Sequence, residues 1–280
     1  MDDRIKNMSF EQYLAVDACQ QSVLKHFWRS AKLGAHLMSS RKFEYTAQMR
    51  LGTLVHMRLL EPDRVDDEVV WIDKMAMMPQ PKTFQKQESL HPGRFVAPLV
   101  WRDHSIAIAQ AVRDDSVARS LIDGPGAHNE LSLFWTDMGV KCKARIDRLI
   151  PRFGIADLKV TSCTHQDEFA RQAGNLGWDF QNAWYQRGCI RTGLSSNVPG
   201  FAHICVDPET MLVRVYELDQ ESVESGWKKC CVALQRYAAW KKDGTLLGEP
   251  SGVLMTRMRP WDLVPDSMQA PIELRDNMEA

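Results

Sequence analysis

Two aspartates and a lysine stand close together in the middle of this 280-residue chain, within Lys143-Ala144-Arg145-Ile146-Asp147 and Ile155-Ala156-Asp157-Leu158-Lys159. The first run, and the second from Ala156 on, alternate apolar and polar residues, the period of a β-strand. On the first strand, Val140, Cys142, Ala144 and Ile146 share one face, and Lys141, Lys143, Arg145 and Asp147 the other. On the second, Ile155, Asp157 and Lys159 lie opposite Ala156, Leu158 and Val160. A turn over residues 151–154 lets Asp147 and Asp157 converge. Converging carboxylates repel unless a cation intervenes, and hard divalent ions such as Mg²⁺ favour carboxylate oxygens and water. A solvated sheet face with ordinary surface charges has the same spacing, so spacing alone leaves both readings open.

Other polar residues bear on the choice. His56 sits in the apolar run Leu51-Gly52-Thr53-Leu54-Val55-His56, where a lone histidine is either a packed core residue or a ligand. Gln181 and Tyr185 are four apart and therefore on one helix face, able to hydrogen-bond a phosphate or sugar, or simply to be exposed and packed, respectively. Lys141, Lys143, Arg145, Arg148 and Arg152 have Asp147 as the only acid among residues 141–152, a local excess suited to DNA backbone contacts or to solubility. Glu130 starts a preceding strand, either as a solvated strand-end acid or as an added or outer partner of a metal.

These residues must be positioned by elements of mixed type. Helical spacing covers residues 10–60, with breaks at Gly34 and Ser39-Ser40 and a last helix at 47–60. Residues 61–100 read as a long irregular connection with one short strand at 69–72. A helix over 103–122 stops at Asp123-Gly124-Pro125-Gly126. A hairpin (131–135 and 140–149) and a third strand (154–160) follow, then a helical stretch over 166–190 split at Gly174 and Gly177. Strands at 201–206 and 211–218 and a long helix at 221–241 complete the order. This is an α/β fold with a mixed central sheet flanked by helices and an N-terminal helical region.

Composition excludes several classes of protein. Thirty-five basic against 36 acidic residues leave a net charge of −1, so no uniformly basic coat exists and any polyanion site must be local. No window approaches ~18 consecutive apolar residues, and the N-terminus lacks a signal-type apolar core, which predicts a cytoplasmic protein. Seven cysteines without a C-x-x-C predict reduced, mostly buried thiols. No G-x-x-x-x-G-K-[ST] occurs, so no nucleotide cofactor is expected. Residues 1–262 are expected to form one domain, helical to about 125 with the core after it, and 263–280 a loosely ordered acidic tail.

Taken in order, Gly52-Thr53-x-x-His56, Asp147, Asp157-Leu158-Lys159 and Gln181-x-x-x-Tyr185 resemble the RecB-like branch of the PD-(D/E)XK nuclease superfamily. More narrowly, Leu51 to Pro62, the two strand runs and Trp178 to Tyr185 before Gly188 resemble the phage and prophage exodeoxyribonuclease VIII family, RecE type, from about Met8 to Leu263. The D-x-K motif alone is weak, but four ordered motifs are specific. Ala156 stands where the superfamily's name has proline.

The resemblance implies a restriction-endonuclease-like core and roles for single residues. Asp147, Asp157 and His56 would bind Mg²⁺, for which Mn²⁺ substitutes, with the Leu158 carbonyl also in reach. Lys159 would stabilise or deprotonate the attacking water, and Gln181 and Tyr185 would position the scissile strand. The family degrades one strand of linear duplex DNA from its 5′ end without ATP, leaves 3′ overhangs for a RecT-like annealing protein in recombination, and forms rings around DNA. It thereby implies double-stranded DNA ends, an annealing partner, a homo-oligomer and a bacterial host cytoplasm. An inactive nuclease-fold DNA-binding protein and a structure-dependent endonuclease are the alternatives. The iron-sulfur branch, which needs three clustered cysteines near the C-terminus, is not expected, since Cys230-Cys231 does not supply that set.

Overall fold

The computed structural model describes residues 4–40, 45–162, 165–249 and 251–253, so the acidic tail expected at 263–280 lies outside the described residues. Strand β1 (Ile5–Asn7) leads into helices α1 (Phe10–Ala15), α2 (Gln21–Arg29), α3 (Ala31–Ser40) and α4 (Ala47–Leu60). Then come α5 (Pro62–Glu68), β2 (Val69–Ile72), α6 (Pro81–Leu90), β3 (Phe95–Pro98), α7 (Trp101–Asp114) and α8 (Ser116–Asp123). Strands β4 (His128–Asp137), β5 (Val140–Ile150) and β6 (Gly154–Val160) precede α9 (Gln166–Leu176) and α10 (Trp178–Arg191). The order closes with β7 (Gly200–Val206), β8 (Val213–Tyr216) and α11 (Gln220–Asp243).

Residues 61–100 are not the irregular connection expected from their prolines. Pro62 and Pro81 occupy the first turns of α5 and α6, where the missing N–H has no helical partner to lose and the fixed φ suits the helix. Strands β2 and β3 pair in parallel as a separate two-stranded sheet. The single helix expected over 103–122 is two, because Asp115 leaves helical geometry and its carboxylate accepts hydrogen bonds from Val117 N and Ala118 N, capping α8. The 166–190 stretch divides at Gly177 alone, in the left-handed region at φ 76°, while Gly174 continues the helix.

The main sheet has strand order β1-β4-β5-β6-β7-β8, with β6 and β7 parallel and every other neighbouring pair antiparallel. Leu54, Val55 and Ile108, from α4 and α7, pack with Ala156, Leu158, Ile204 and Val206. Leu24, Phe180, Trp184 and Leu234, from α2, α10 and α11, pack with Leu133, Ala144, Ile146 and Ile155. The alternation read from the sequence therefore has one hydrophobic core on each side. Burying each of these large aliphatic side chains is worth about 1.5–3 kcal/mol.

Helix α10 is buried on nearly all sides, including Asp179, Gln181, Asn182, Gln186 and Arg187. Such polar burial requires partners. Asp179 pairs with Lys229, Arg187 with Asp137, and Gln186 Nε2 donates to Pro199 O at 2.8 Å. Gly226 lets α11 approach this closely, since a Cβ there would lie 2.3 Å from Asp179 O.

Candidate functional site

Strands β5 and β6 pair only through Arg148↔Ala156, Leu149↔Ile155 and Ile150↔Gly154. Beyond these pairs the strands part, and the next peptides lose their ladder partners. Side chains take over. Leu158 N donates to Asp147 Oδ2 at 3.0 Å, and His56 Nε2 lies 3.0 Å from Leu158 O. The carbonyl can only accept, so Nε2 carries the proton and Nδ1 keeps its lone pair, facing Asp147 Oδ2 at 3.5 Å. Burial lowers the pKa of His56, which keeps the ring neutral as a ligand must be.

Glu130 joins this group from β4. Ligand atoms of His56, Glu130 and Asp147 all lie within 4.8 Å of one another, and the side chains keep 25%, 18% and 16% of their surface accessible, so a solvated ion can reach them. Burial, then the charge of Asp157, pushes the Asp147 carboxyl above the usual carboxylate range. Burial and the charge of Asp147 do the same to Glu130. One imidazole nitrogen and two crowded carboxylates are a donor set that fits Mg²⁺ or Mn²⁺.

A second group lies on the α10 side. Asp157, 1% exposed, forms an ion pair with Lys159, and its Oδ1 accepts from Gln181 Nε2 at 2.8 Å. Gln181 Oε1 accepts in turn from Lys159 Nζ at 3.0 Å. Gln181 is thus a bridge between the aspartate and the lysine. Tyr185, one turn later, is buried beside Phe201. Burial opposes the charge on Lys159, but Asp157 and Asp147 outweigh it and hold its pKa above the usual lysine value. Lys159 therefore stays protonated here, suited to neutralise charge rather than to take a proton. Burial would raise the Asp157 pKa, yet Lys159 and His203 outweigh that and hold it low.

His203 escaped the sequence reading. It pairs in register with Asp157, is fully buried, and places Nδ1 3.6 Å from Asp157 Oδ2. Phe201, Phe169 and Trp178 wall it in at ring-centroid distances of 4.7, 5.5 and 6.0 Å. The only signal was one polar residue inside the apolar run Phe201-Ala202-His203-Ile204-Cys205-Val206.

The basic cluster divides, and three of its five members are structural. Lys143 Nζ donates to the carbonyls of Tyr13, Leu14 and Val16 at 2.9, 3.2 and 2.7 Å, closing the C-terminal end of α1. Arg145 binds Glu130, Met8 O and Ser132 Oγ. Arg148 binds Leu121 O, Gly124 O and Asn129 Oδ1. Alternation put Lys143 and Arg145 on the polar face and gives Arg148 the opposite parity, but the N-terminal segment and the end of α8 bring all three carbonyls that need donors. Lys141 and Arg152 are exposed.

The family described as "PDDEXK-like domain of unknown function (DUF3799)" matches residues 20–246. The chain belongs to this PDDEXK-like family. Its fold agrees with the crystal structure of a candidate exonuclease from Eubacterium rectale, at TM-score 0.62 and 16% identity over 93% of this chain and 99% of that one. A second solved structure reaches TM-score 0.29 at 11% identity over 76% of this chain and 84% of that one, too little to bear on the fold. No curated protein matches significantly. A PDDEXK-like chain with this fold is a nuclease-type protein. Of the expected thiols, Cys19, Cys142, Cys189, Cys205 and Cys230 are buried and Cys231 partly so, while Cys163 lies outside the described residues. No helix among the described residues is long and apolar enough to cross a membrane.

Proposed function

We propose that this PDDEXK-like protein is a Mg²⁺-dependent, ATP-independent exodeoxyribonuclease that resects linear double-stranded DNA from the 5′ end. The observation that carries this reading is the fork between β5 and β6, where His56 and Asp147 are bonded to the Leu158 peptide and Lys159 stands beside Asp157. A divalent cation, when bound, supplies Lewis-acid stabilisation of the phosphate's developing charge and activation of the attacking water. His56 offers Nδ1 and Asp147 a carboxylate oxygen to that ion, and Asp157 and the Leu158 carbonyl stand at the same fork. Lys159 holds a positive charge beside the reacting phosphate, and Gln181 keeps its Nζ oriented toward Asp157. Tyr185 lies one turn from Gln181 on the same helix, buried in the core.

The 3′ overhangs so produced would feed a RecT-like strand-annealing partner, and the RecE-type resemblance favours a homo-oligomeric ring in a bacterial cytoplasm. The test is digestion of linear and covalently closed circular duplexes with Mg²⁺, with and without EDTA, in the absence of ATP. Mg²⁺-dependent release of nucleotides from linear DNA alone is expected, and 5′-end label should leave first. Equal cutting of both substrates would make the protein an endonuclease, and no cutting by folded protein an inactive DNA-binding fold.

A further inference from the structure

Glu130 occupies an unusual position. The β4–β5 register runs through Asn129↔Arg148 and Leu131↔Ile146 without pairing Glu130 and Asp147 between them, yet a carboxylate oxygen of each comes within 4.8 Å of the other. Like charges this close repel. Glu130 is also at φ 52°, in the left-handed region, within strand β4. A glutamate there carries a backbone strain that a glycine would not. Both costs act at the residue whose carboxylate comes within 4.8 Å of the other two ligand atoms.

Arg145 Nε holds Glu130 Oε2 at 2.6 Å. That guanidinium is shared, since its Nη1 donates to Met8 O at 2.7 Å and to Ser132 Oγ at 3.2 Å. It therefore fixes one oxygen of Glu130 and anchors the N-terminal segment, while Lys159 is engaged by Asp157 and Gln181. The pair of neighbouring acids, Glu130 and Asp147, carries more negative charge than Arg145 returns. A divalent ion between them and His56 Nδ1 balances it.

We infer that Glu130 is a direct ligand of the divalent cation, sharing it with His56 Nδ1 and Asp147, and that Arg145 is the counter-ion that steadies this carboxylate when the cation is away. This rests on the nuclease reading for the presence of a cation, and adds a carboxylate that the four sequence motifs do not include. It places the ion on the β4–β5 side of the fork, with Asp157 kept chiefly for Lys159. A purely structural role would leave Glu130 as the buried partner of Arg145 with no share in ion binding.

The experiment is Mn²⁺ titration of the EDTA-stripped full chain, followed by calorimetry and by the electron paramagnetic resonance of free Mn²⁺. Wild type is compared with Glu130→Gln, which keeps the shape, and with Glu130→Asn, whose residue type accepts the left-handed region more readily. In folded variants Mn²⁺ affinity should fall roughly tenfold or more, and the Mn²⁺-induced rise in melting temperature should shrink. Unchanged affinity with a lower metal-free melting temperature would make Glu130 a structural partner of Arg145 and overturn the inference, leaving the nuclease reading intact. Failure of the wild-type protein to bind Mn²⁺ at all would overturn both.

Discussion

His56 reaches across 102 positions of sequence to place Nε2 3.0 Å from the carbonyl oxygen of Leu158. This contact decides the tautomer and aims Nδ1 at Asp147. Replacing His56 with alanine should therefore leave a folded protein, because Leu54, Val55 and Leu59 of α4 stay buried. Activity per folded molecule should nearly vanish and Mn²⁺ affinity should drop, both measured beside circular dichroism and a melting curve. Near wild-type specific activity would return His56 to a packing role.

Lys159 is held protonated between Asp157 and Gln181. Lys159→Ala should lower turnover by roughly 10²–10³, the usual cost of losing one preorganised charge-stabilising donor, while Mn²⁺ affinity stays within a few-fold of wild type. Single-turnover cleavage and the Mn²⁺ isotherm together check this. A collapse of Mn²⁺ binding in the folded variant would mean that Lys159 organises the ion site instead.

The basic cluster predicts a split between stability and DNA affinity. Lys143→Met should cost about 1–3 kcal/mol of stability, because buried carbonyls of Tyr13 and Val16 lose their donor. It should leave the salt dependence of DNA binding unchanged. Lys141→Ala and Arg152→Ala should do the reverse, each reducing the slope of log K against log salt by roughly one if that side chain contacts a phosphate. Urea titration and binding at several salt concentrations separate the two classes.

The raised Asp147 pKa has a signed consequence for the metal-free protein. Between the ordinary carboxylate value of about 4 and the higher folded one, the folded state binds more protons than the unfolded, so this group's contribution falls as pH rises through that window. His56 and His203 act oppositely, since burial lowers their pKa and their contribution is lost as pH falls. Comparing Asp147→Asn with wild type largely cancels the histidines. Without metal, the variant should gain stability relative to wild type as pH goes from about 4 to about 8, read as the difference in melting temperature. Saturating Mn²⁺ should reverse the order, because the variant has lost a ligand. A pH-independent difference would show that Asp147 ionises normally.

Most elements were legible because their signals are local. The alternation around Asp147 and Asp157, the helical run before Pro62 and the long period of α11 each depend on residues within a few positions. The misread segments were those where a local signal has two meanings. Pro62 and Pro81 read as breakers and are helix starters, and Asp115 reads as one more polar helical residue and is a cap.

The order His56, Asp147, Asp157-x-Lys159, Gln181-x-x-x-Tyr185 was enough, from sequence alone, to point to a PDDEXK-like nuclease fold and to the residue types needed to hold a hard cation. Which of these side chains touch was decided only by the tertiary structure. Strands β5 and β6 part after Arg148↔Ala156, so the Leu158 peptide is free to bond His56 and Asp147, Gln181 turns inward to join Lys159 to Asp157, and Glu130 comes close to Asp147. The same folding took Lys143, Arg145 and Arg148 away from solvent. Alternation specifies a face, but what covers it comes from other elements, the N-terminal segment more than a hundred positions from Lys143 and Arg145 and the end of α8 24–27 positions from Arg148, and their carbonyls determine which charges remain for a ligand.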